Sequence, residues 1–200
     1  LDYCFDFKSV TARKNAVVEQ LRGGVEGLLG HKNITLVRGK ASFKDPHTVI
    51  VDLTQNSHCG EQGEVAVYTA DYIIIATGSV SASLPVPGAD LPGILTSREI
   101  LDLEEVPQRL CVIGGGVIGL EFASVFRSFG SEVTVLEYCK DILPRFDTDL
   151  AKRLKQSLGK RGIAIETQAQ VTGIAKDCGG GYSVTYVRKG KEETVEADKV

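Results

Sequence analysis

The sequence lacks methionine and long apolar runs. It contains no methionine in 200 residues, and no apolar stretch approaches the roughly 18 residues that a membrane-spanning helix needs. The chain begins Leu1-Asp2-Tyr3, without an initiator methionine, a basic region or an apolar signal segment. These absences argue against a secreted or membrane-spanning chain, and the start has the character of a cut through a longer sequence.

Paired cysteines are also missing. The five cysteines stand far apart, at positions 4, 59, 111, 139 and 178. None forms a C-x-x-C motif and none has histidines at zinc spacing. Scattered cysteines in odd number are typical of reduced, structural thiols in a cytosol-like compartment, so we expect neither a metal site nor a catalytic cysteine.

An excess of one charge is the third absence. Lysine and arginine number 23, aspartate and glutamate 26, and the net charge is -3. This slightly acidic balance gives no support for nucleic acid or an anionic membrane as a partner.

A glycine-rich turn organises the sequence that is present. Leu110–Gly114 is mostly apolar, as expected of a buried parallel strand, and Gly114, Gly116 and Gly119 occupy the positions of a G-x-G-x-x-G motif. Apolar residues then recur at helical spacing. The next strand, Glu132–Glu137, ends on an acid about twenty residues after the glycines. Strand, glycine turn, helix, strand and acid predict a dinucleotide-binding βαβ unit.

Each glycine has a predicted mechanical role. Gly114 permits the tight turn, Gly119 lets the helix pack close to the strand, and a side chain at Gly116 would keep the backbone away from a pyrophosphate. The N-terminus of the helix would face the phosphates with N–H groups and a partial positive charge. The alternative is that the glycines serve only a tight turn between strand and helix.

Glu137 indicates which nucleotide binds. A carboxylate at the end of the second strand accepts hydrogen bonds from the ribose hydroxyls and repels a 2′-phosphate. No arginine cluster follows Glu137. We therefore predict NAD(H) over NADP(H), with a solvated strand end as the alternative.

The first half predicts a long helix followed by a small antiparallel β unit. The helix covers Phe7–Leu29, with Ser9 or Thr11 as its cap. The predicted strands are Ile34–Val37, Gly39–Phe43, Thr48–Asp52 and Glu64–Tyr68.

A continuous apolar run, Tyr72–Thr77, follows this β unit. It predicts a strand that is buried on both faces. Ligands bind outside the carboxyl ends of strands in open α/β sheets, so Thr77 and Gly78 are predicted to lie near a cofactor. A plain turn at the strand end is the alternative.

The second half predicts a proline-containing connector over residues 81–107 and then further helix and strands. A helix to Arg161 is predicted with Asp147 or Thr148 as its cap and Leu150, Leu154 and Leu158 on its buried face. The predicted strands after it are Ile163–Glu166, Val171–Ala175, Tyr182–Val187 and Thr194–Val200, the last of which the chain end interrupts.

Four segments together resemble a known family. They are Gln20–Leu29 (QLRGGVEGLL), Tyr72–Ser79 (YIIIATGS), Leu95–Ser97 (LTS) and Val112–Ser124 (VIGGGVIGLEFAS). The chain is similar over essentially all its length to the middle of the flavin-dependent pyridine nucleotide–disulfide oxidoreductases, and among them to the dihydrolipoamide dehydrogenase group.

The resemblance implies an α/β fold with Rossmann-like FAD- and NAD(P)-binding domains, each a parallel sheet with helices plus a small antiparallel β unit. Residues 1–107 would be the C-terminal part of the FAD-binding domain plus the connector. Residues 108–200 would be the NAD-binding domain, truncated in its last strand. The implied cofactors are FAD and NAD.

The resemblance also assigns residues to these cofactors. Thr77, Gly78 and Ser79 match the segment that touches FAD, and Ala41 matches a position near the FAD adenine. Glu137 matches the ribose-binding acid and Val171 a position beside the NAD adenine. The residues that match the NAD loop and the start of its helix are Gly114, Gly115, Gly116, Val117, Ile118, Gly119, Leu120 and Glu121.

Glu121 is the candidate catalytic residue. It matches an acid near the nicotinamide and the flavin, which in the family pairs with a lysine that this chain lacks. Val117 stands where some relatives carry a tyrosine over the flavin, and its small apolar side chain agrees better with the dihydrolipoamide dehydrogenase group.

The sequence also departs from the family. It lacks the FAD-binding G-x-G-x-x-G motif, the paired redox cysteines and the histidine–glutamate pair. The hypothesis is therefore a fragment, inactive alone, of an enzyme that oxidises dihydrolipoamide through a disulfide and FAD to NAD. The implied partners are lipoyl domains of 2-oxo acid dehydrogenase complexes and a second subunit in a homodimer, in a bacterial cytoplasm or a mitochondrial matrix.

Two alternatives stay open. One is a stand-alone NAD-binding module without turnover. The other is a related disulfide oxidoreductase, such as mercuric reductase, or a relative that uses NADP.

Overall fold

The computed structural model describes residues 6–53 and 65–200. The chain divides into two compact units. The first contains the residues up to Arg13 together with Ser81–Val200, and the second contains Lys14–Val80. The two units are defined by contacts within the chain, whereas the predicted domains are defined by the cofactor that each would bind. The assignment of residues 1–107 to FAD and 108–200 to NAD therefore stays a prediction.

Helix α1 covers Phe7–Leu29, as predicted. Its cap differs from the prediction. Asp6 accepts hydrogen bonds from the Lys8 N–H at 3.0 Å and from the Ser9 hydroxyl at 2.7 Å. A short acidic side chain just before the first turn reaches the unpaired N–H groups there, so Asp6 is the cap and Ser9 is a donor to it. None of the described helices is long and apolar enough to cross a membrane.

The second unit contains a three-stranded antiparallel sheet. Its strands are β1 (Lys40–Asp45), β2 (Thr48–Asp52) and β3 (Val65–Thr69), in that order across the sheet. The turn between β1 and β2 is closed by Asp45, which accepts a hydrogen bond from the His47 N–H at 2.9 Å. The prediction of a small antiparallel unit is confirmed, and Glu64 of the last predicted strand lies outside the described residues.

Two predicted strands of this unit do not form. Residues 34–37 and 72–77 have no strand structure. The second was expected to be buried, yet Tyr72 is 92% exposed and Ile74 89% exposed. A strand needs a neighbouring backbone to bond with, and among the described residues none pairs with either segment. Both predictions are therefore wrong for this structure.

The first unit is built on a parallel sheet with crossover helices. Strand β4 (Arg109–Ile113), helix α2 (Val117–Ser128), strand β5 (Glu132–Glu137), helix α3 (Thr148–Lys160) and strand β6 (Ile163–Thr167) follow one another. The three strands lie in the order β4–β5–β6, all parallel. Their buried side chains, Leu110, Val133, Val135 and Ile163, pack with Leu120, Ala123 and Phe126 of α2. The predicted α/β fold is confirmed.

Helix α3 begins as predicted, but its buried face differs. Asp147 caps it by accepting hydrogen bonds from the N–H groups of Asp149 and Leu150. Leu158 is 4% exposed, whereas Leu150 is 64% and Leu154 37% exposed. The buried stripe instead runs through Ala151 and Leu158, which lie seven residues apart and therefore on one side of the helix.

The chain ends with a second antiparallel sheet. Strands β7 (Gln170–Lys176), β8 (Tyr182–Arg188) and β9 (Lys191–Ala197) form it, in that order. β9 stops at Ala197 rather than running to Val200, and Lys199 forms a parallel bridge with Leu110 of β4. The final residues thus lie along the parallel sheet.

The connector, residues 81–107, is part of the first unit and is hydrogen-bonded to the rest of it. Its Leu95 N–H donates to the Val200 carbonyl at 2.8 Å, and its Pro87 carbonyl accepts from the Ile174 N–H at 2.9 Å. A short 3-10 helix, Glu99–Asp102, buries Ile100 in the core. The connector is therefore fixed to both sheets of the unit.

Candidate dinucleotide-binding site

The glycine turn between β4 and α2 has the predicted shape. Gly114 has φ 114°, a backbone conformation that favours glycine. Its N–H donates to the Leu136 carbonyl at 2.8 Å, which ties the turn to the end of β5. The tight turn predicted for Gly114 is therefore present.

Gly119 and Gly116 differ in their surroundings. A Cβ on Gly119 would lie 2.3 Å from the Gly114 carbonyl oxygen and 3.1 Å from Cγ1 of Val112, whereas a Cβ on Gly116 would have no atom within 4 Å. Gly119 thus serves the packing of α2 on β4. Gly116 is not needed for packing, and open space lies over its Cα.

The N-terminus of α2 is open towards this space. Gly116 is its N-cap and provides no side chain to cap the first turn. Backbone N–H groups at such a helix end, with the helix dipole, favour an anion by about 0.3–1 kcal/mol. Val117 is 45% and Ile118 56% exposed, Glu121 is exposed, and Leu120 is buried at 4%. Glu121 is therefore accessible one turn into the helix.

Glu137 lies at the end of β5, directly beside the glycine turn. It is 7% exposed. Its Oε2 accepts a hydrogen bond from the Gly115 N–H at 2.6 Å, and its Oε1 accepts one from the Cys139 N–H at 2.6 Å. The alternative of a solvated strand end is wrong, because the carboxylate is buried and hydrogen-bonded to the turn.

A second contact holds Gly115 from the other side. Its carbonyl accepts a hydrogen bond from the Leu143 N–H at 3.0 Å. The side chain of Ile142 is 1% exposed, and its Cγ2 would lie 2.9 Å from a Cβ on Gly115. A side chain at position 115 would therefore crowd Ile142 and Glu137.

The start of β7 lies next to the same strand end. The Ala169 N–H donates to the Glu137 carbonyl and the Gln168 N–H to the Cys139 carbonyl, each at 2.9 Å. Val171, the residue predicted to lie near the adenine, is half-buried against the second core cluster. The glycine turn, Glu137 and the start of β7 thus form one continuous edge of the first unit.

The residues predicted to touch FAD belong to the second unit. Thr77, Gly78 and Ser79 are exposed and lie in irregular backbone, with Gly78 at φ 77°. Ala41 is exposed on β1 and pairs with Val51 of β2. Their contacts with a flavin stay predictions.

The described cysteines have no arrangement for redox chemistry. Burial raises the pKa of the Cys111 thiol to about 12. A hydrogen bond to the Glu137 carboxylate, followed by burial, raises the pKa of Cys139. Cys178 is exposed. Within residues 6–53 and 65–200, no group of histidine, cysteine and acidic residues is placed to hold a metal ion.

Sequence reasoning missed the part that Ile142 and Leu143 play. These residues follow Glu137, and no side-chain pattern distinguishes a loop that braces a glycine turn from one that does not. The signal that was available is the apolar pair itself, because apolar residues in a polar loop tend to be buried.

Comparison with known proteins gives one family match over almost the whole chain. The family described as pyridine nucleotide-disulphide oxidoreductase matches residues 5–200. A dihydrolipoyl dehydrogenase of Acholeplasma laidlawii is 36% identical over an alignment 200 residues long, which covers 98% of this chain and 54% of that protein. One of Geobacillus stearothermophilus is 40% identical over 196 residues, 98% of this chain and 39% of that protein.

A solved structure shares both sequence and fold. The HOCl-induced flavoprotein disulfide reductase RclA from Escherichia coli has a TM-score of 0.79 and 33% identity, covering 98% of this chain and 42% of that one. The chain thus spans about half, or less, of the length of these relatives. Their names describe two different activities, so the likeness shows the family and leaves the substrate to be argued.

Proposed function

Because this chain belongs to the pyridine nucleotide-disulphide oxidoreductase family, we propose that it is a fragment of a flavin-dependent dihydrolipoamide dehydrogenase that carries the NAD site and part of the FAD site. FAD and NAD are the cofactors of that enzyme class. The whole enzyme would oxidise dihydrolipoamide carried on lipoyl domains of 2-oxo acid dehydrogenase complexes, as a homodimer in a bacterial cytoplasm or a mitochondrial matrix.

One observation supports the nucleotide site above all others. The space over Gly116 is open and the first turn of α2 has no side-chain cap. A pyrophosphate in that space meets backbone N–H groups and the positive end of the helix dipole. The residues proposed to hold NAD are therefore Gly114–Leu120, with Glu137 on the ribose and Val171 near the adenine.

Glu137 supports NAD over NADP. Its carboxylate is buried and already anchored by two backbone N–H groups. A carboxylate has about four acceptor positions, so others remain for the ribose hydroxyls. A 2′-phosphate there would bring like charge close to a buried carboxylate, which is unfavourable.

Glu121 and the second unit complete the proposal. In the whole enzyme, FAD would supply hydride chemistry to the nicotinamide. We assign Glu121 to the neighbourhood of the nicotinamide because it is accessible one turn after the glycine motif. Thr77, Gly78, Ser79 and Ala41 are assigned to FAD on the family resemblance.

The cysteine pattern favours a chain that binds a nucleotide but does not itself carry out thiol–disulfide chemistry. The sequence has no paired redox cysteines, and Cys111 is held as an unreactive thiol by burial. A nucleotide-binding module without turnover is therefore the second candidate.

Two measurements on the purified chain test these proposals. Calorimetric titration should show one NADH per chain and weaker binding of NADPH; no binding of either would overturn the nucleotide site. After incubation with FAD, gel filtration and a visible absorption spectrum should show whether flavin stays bound. Bound flavin supports the enzyme part, whereas NADH binding without flavin supports the binding module.

A further inference from the structure

Three non-glycine residues of the described chain have a left-handed backbone: Leu143 at φ 50°, Gln168 at φ 58° and Lys189 at φ 50°. Lys189 precedes Gly190 in the hairpin between β8 and β9, where left-handed residues are usual. Leu143 and Gln168 lie in no such hairpin. Leucine is disfavoured in this conformation because its Cβ crowds the following carbonyl.

Both of these residues bond to the same edge of the parallel sheet. The Gln168 N–H donates to the Cys139 carbonyl at 2.9 Å, and the Leu143 N–H donates to the Gly115 carbonyl at 3.0 Å. Unfavourable backbone conformations persist where surrounding contacts impose them, and they cluster at functional sites. Here they surround the end of β5 and the glycine turn.

Leu143 is held in place by its neighbours. Ile142 before it is fully buried in the core. The Leu143 carbonyl accepts a hydrogen bond from the Phe146 N–H at 2.9 Å. Anchored on both sides, Leu143 directs its N–H at Gly115 and not at solvent.

Gly115 in the glycine turn is therefore held through both its N–H and its carbonyl. The Gly115 N–H donates to Glu137, and the Gly115 carbonyl accepts from Leu143. The next residue, Gly116, faces the open space at the start of α2. A turn held this way is in position before any ligand arrives, which lowers the ordering cost of binding.

We infer that Leu143 is a positioning residue for the dinucleotide: its left-handed backbone, and not its side chain, holds Gly115 so that Gly116 faces the pyrophosphate. The inference rests on the proposed nucleotide site. It assigns to Leu143 a function that neither the glycine motif nor the ribose acid includes.

Two substitutions separate backbone from side chain. Leu143→Gly adopts the left-handed conformation readily but removes the apolar side chain, which packs against the core. Leu143→Val keeps an apolar side chain, but a β-branched residue at positive φ is an outlier. We expect Leu143→Gly to bind NADH within about threefold of the parent chain, and Leu143→Val to bind roughly tenfold more weakly. Leu143→Asn, which also tolerates the left-handed region, should follow Leu143→Gly.

A second readout does not depend on the nucleotide. Hydrogen exchange of the amide of residue 143, which donates to the Gly115 carbonyl, is followed by NMR in the chain without ligand and reports directly on this contact. Exchange should stay slow in Leu143→Gly and Leu143→Asn, and become faster in Leu143→Val. In thermal unfolding, Leu143→Gly should have a lower midpoint than Leu143→Val, although it binds NADH more tightly. Leu143→Gly loses the packing of the side chain while it keeps NADH affinity.

Each outcome decides the question. If Leu143→Val binds like the parent and Leu143→Gly binds weakly, the side chain matters and the inference is overturned. Equal binding by all three variants overturns it too. If one variant does not fold, the other two variants and hydrogen exchange of the amide of residue 143 decide. If the parent chain does not bind NADH, the proposed function itself is overturned. If NADH affinity is the same in the parent chain and the Leu143 variants, only this inference is overturned.

Discussion

Glu137 and Gly115 are joined by a hydrogen bond of 2.6 Å between the buried carboxylate and the backbone N–H of the glycine turn. The second carboxylate oxygen accepts an equally short bond from Cys139. The acid at the end of β5 therefore shapes the turn in the protein without ligand, in addition to the ribose contact proposed for it. Removal of the Glu137 carboxylate should therefore loosen the glycine turn and also remove the proposed ribose contact.

Replacement of Glu137 by alanine should weaken NADH binding by roughly 10- to 100-fold. Hydrogen bonds to a charged group contribute about 1.5–3 kcal/mol, and 1.4 kcal/mol corresponds to about tenfold in affinity. Isothermal titration calorimetry measures the change. Glu132→Ala is the matched control, because Glu132 is exposed at the other end of the same strand. Unchanged NADH affinity in Glu137→Ala would refute the ribose assignment.

Alanine at Gly116 and at Gly119 should have opposite effects. Gly116 has φ −78° and ψ 178°, which alanine adopts freely, and open space surrounds it. Gly116→Ala should therefore keep the thermal midpoint and lose at least about tenfold in NADH affinity, since a methyl group would stand in the phosphate space.

Gly119→Ala should instead destabilise the chain. Its methyl group would meet the Gly114 carbonyl oxygen at 2.3 Å, and overpacking of this kind costs about 1–3 kcal/mol. Urea unfolding measures this loss. If Gly116→Ala were the less stable of the two variants, the division between a phosphate-facing and a packing glycine would be wrong.

The parallel unit could be predicted almost residue by residue, because its signals are local. β5 was predicted as Glu132–Glu137 and is observed so, and Asp147, one of the two predicted caps of α3, is the observed cap. Alternation, helical spacing and caps depend on neighbours within a few residues.

The wrong predictions concern how a strand or a helix packs against its neighbours in space. The apolar run at 72–77 predicts a buried strand only if other strands flank it, and the sequence of the run does not contain that information. Leu150 and Leu154 share one helical side with each other, but the packed side runs through Ala151 and Leu158. The left-handed backbone of Leu143 has no sequence signal, because leucine rarely adopts it.

Asp198 should make the stability of the chain depend on acid pH. Arg109 donates to it from its backbone N–H and from its guanidinium, the latter at 2.7 Å. These hydrogen bonds lower the pKa of Asp198 below its usual value of 3.8. A lowered folded-state pKa contributes stability above the unfolded-state pKa, and this contribution is lost as the pH falls through the folded-state pKa.

Asp198→Asn should therefore cost about 1 kcal/mol at neutral pH, a modest value because the pair is partly exposed. The difference from the parent chain should shrink as the pH falls below about 4. Urea unfolding at a series of pH values tests this, with the exposed Glu105→Gln as control. A difference that stays constant down to acid pH would show that the ion pair is not its source.

The described cysteines should react with iodoacetamide in a fixed order. Cys178 is exposed and should react first. Cys139 should be slower, because the Glu137 carboxylate raises its pKa. Cys111, with a pKa of about 12, should react only after unfolding, since the thiolate is the reactive form. Peptide mapping by mass spectrometry reads each site, and Glu137→Ala should accelerate Cys139 alone.

The exposed apolar segment of the second unit should cause the chain to associate. Tyr72, Ile74 and Val80 are 92%, 89% and 94% exposed, and contiguous apolar surface of this kind favours contact with another chain. Light scattering should show oligomers or aggregates that become less abundant in Ile74→Ser and Val80→Ser. Tyr138→Ser, at a position 71% exposed in the first unit, should leave association unchanged. A monodisperse monomer of the parent chain would contradict this expectation, because these side chains would then be stable in water without a partner.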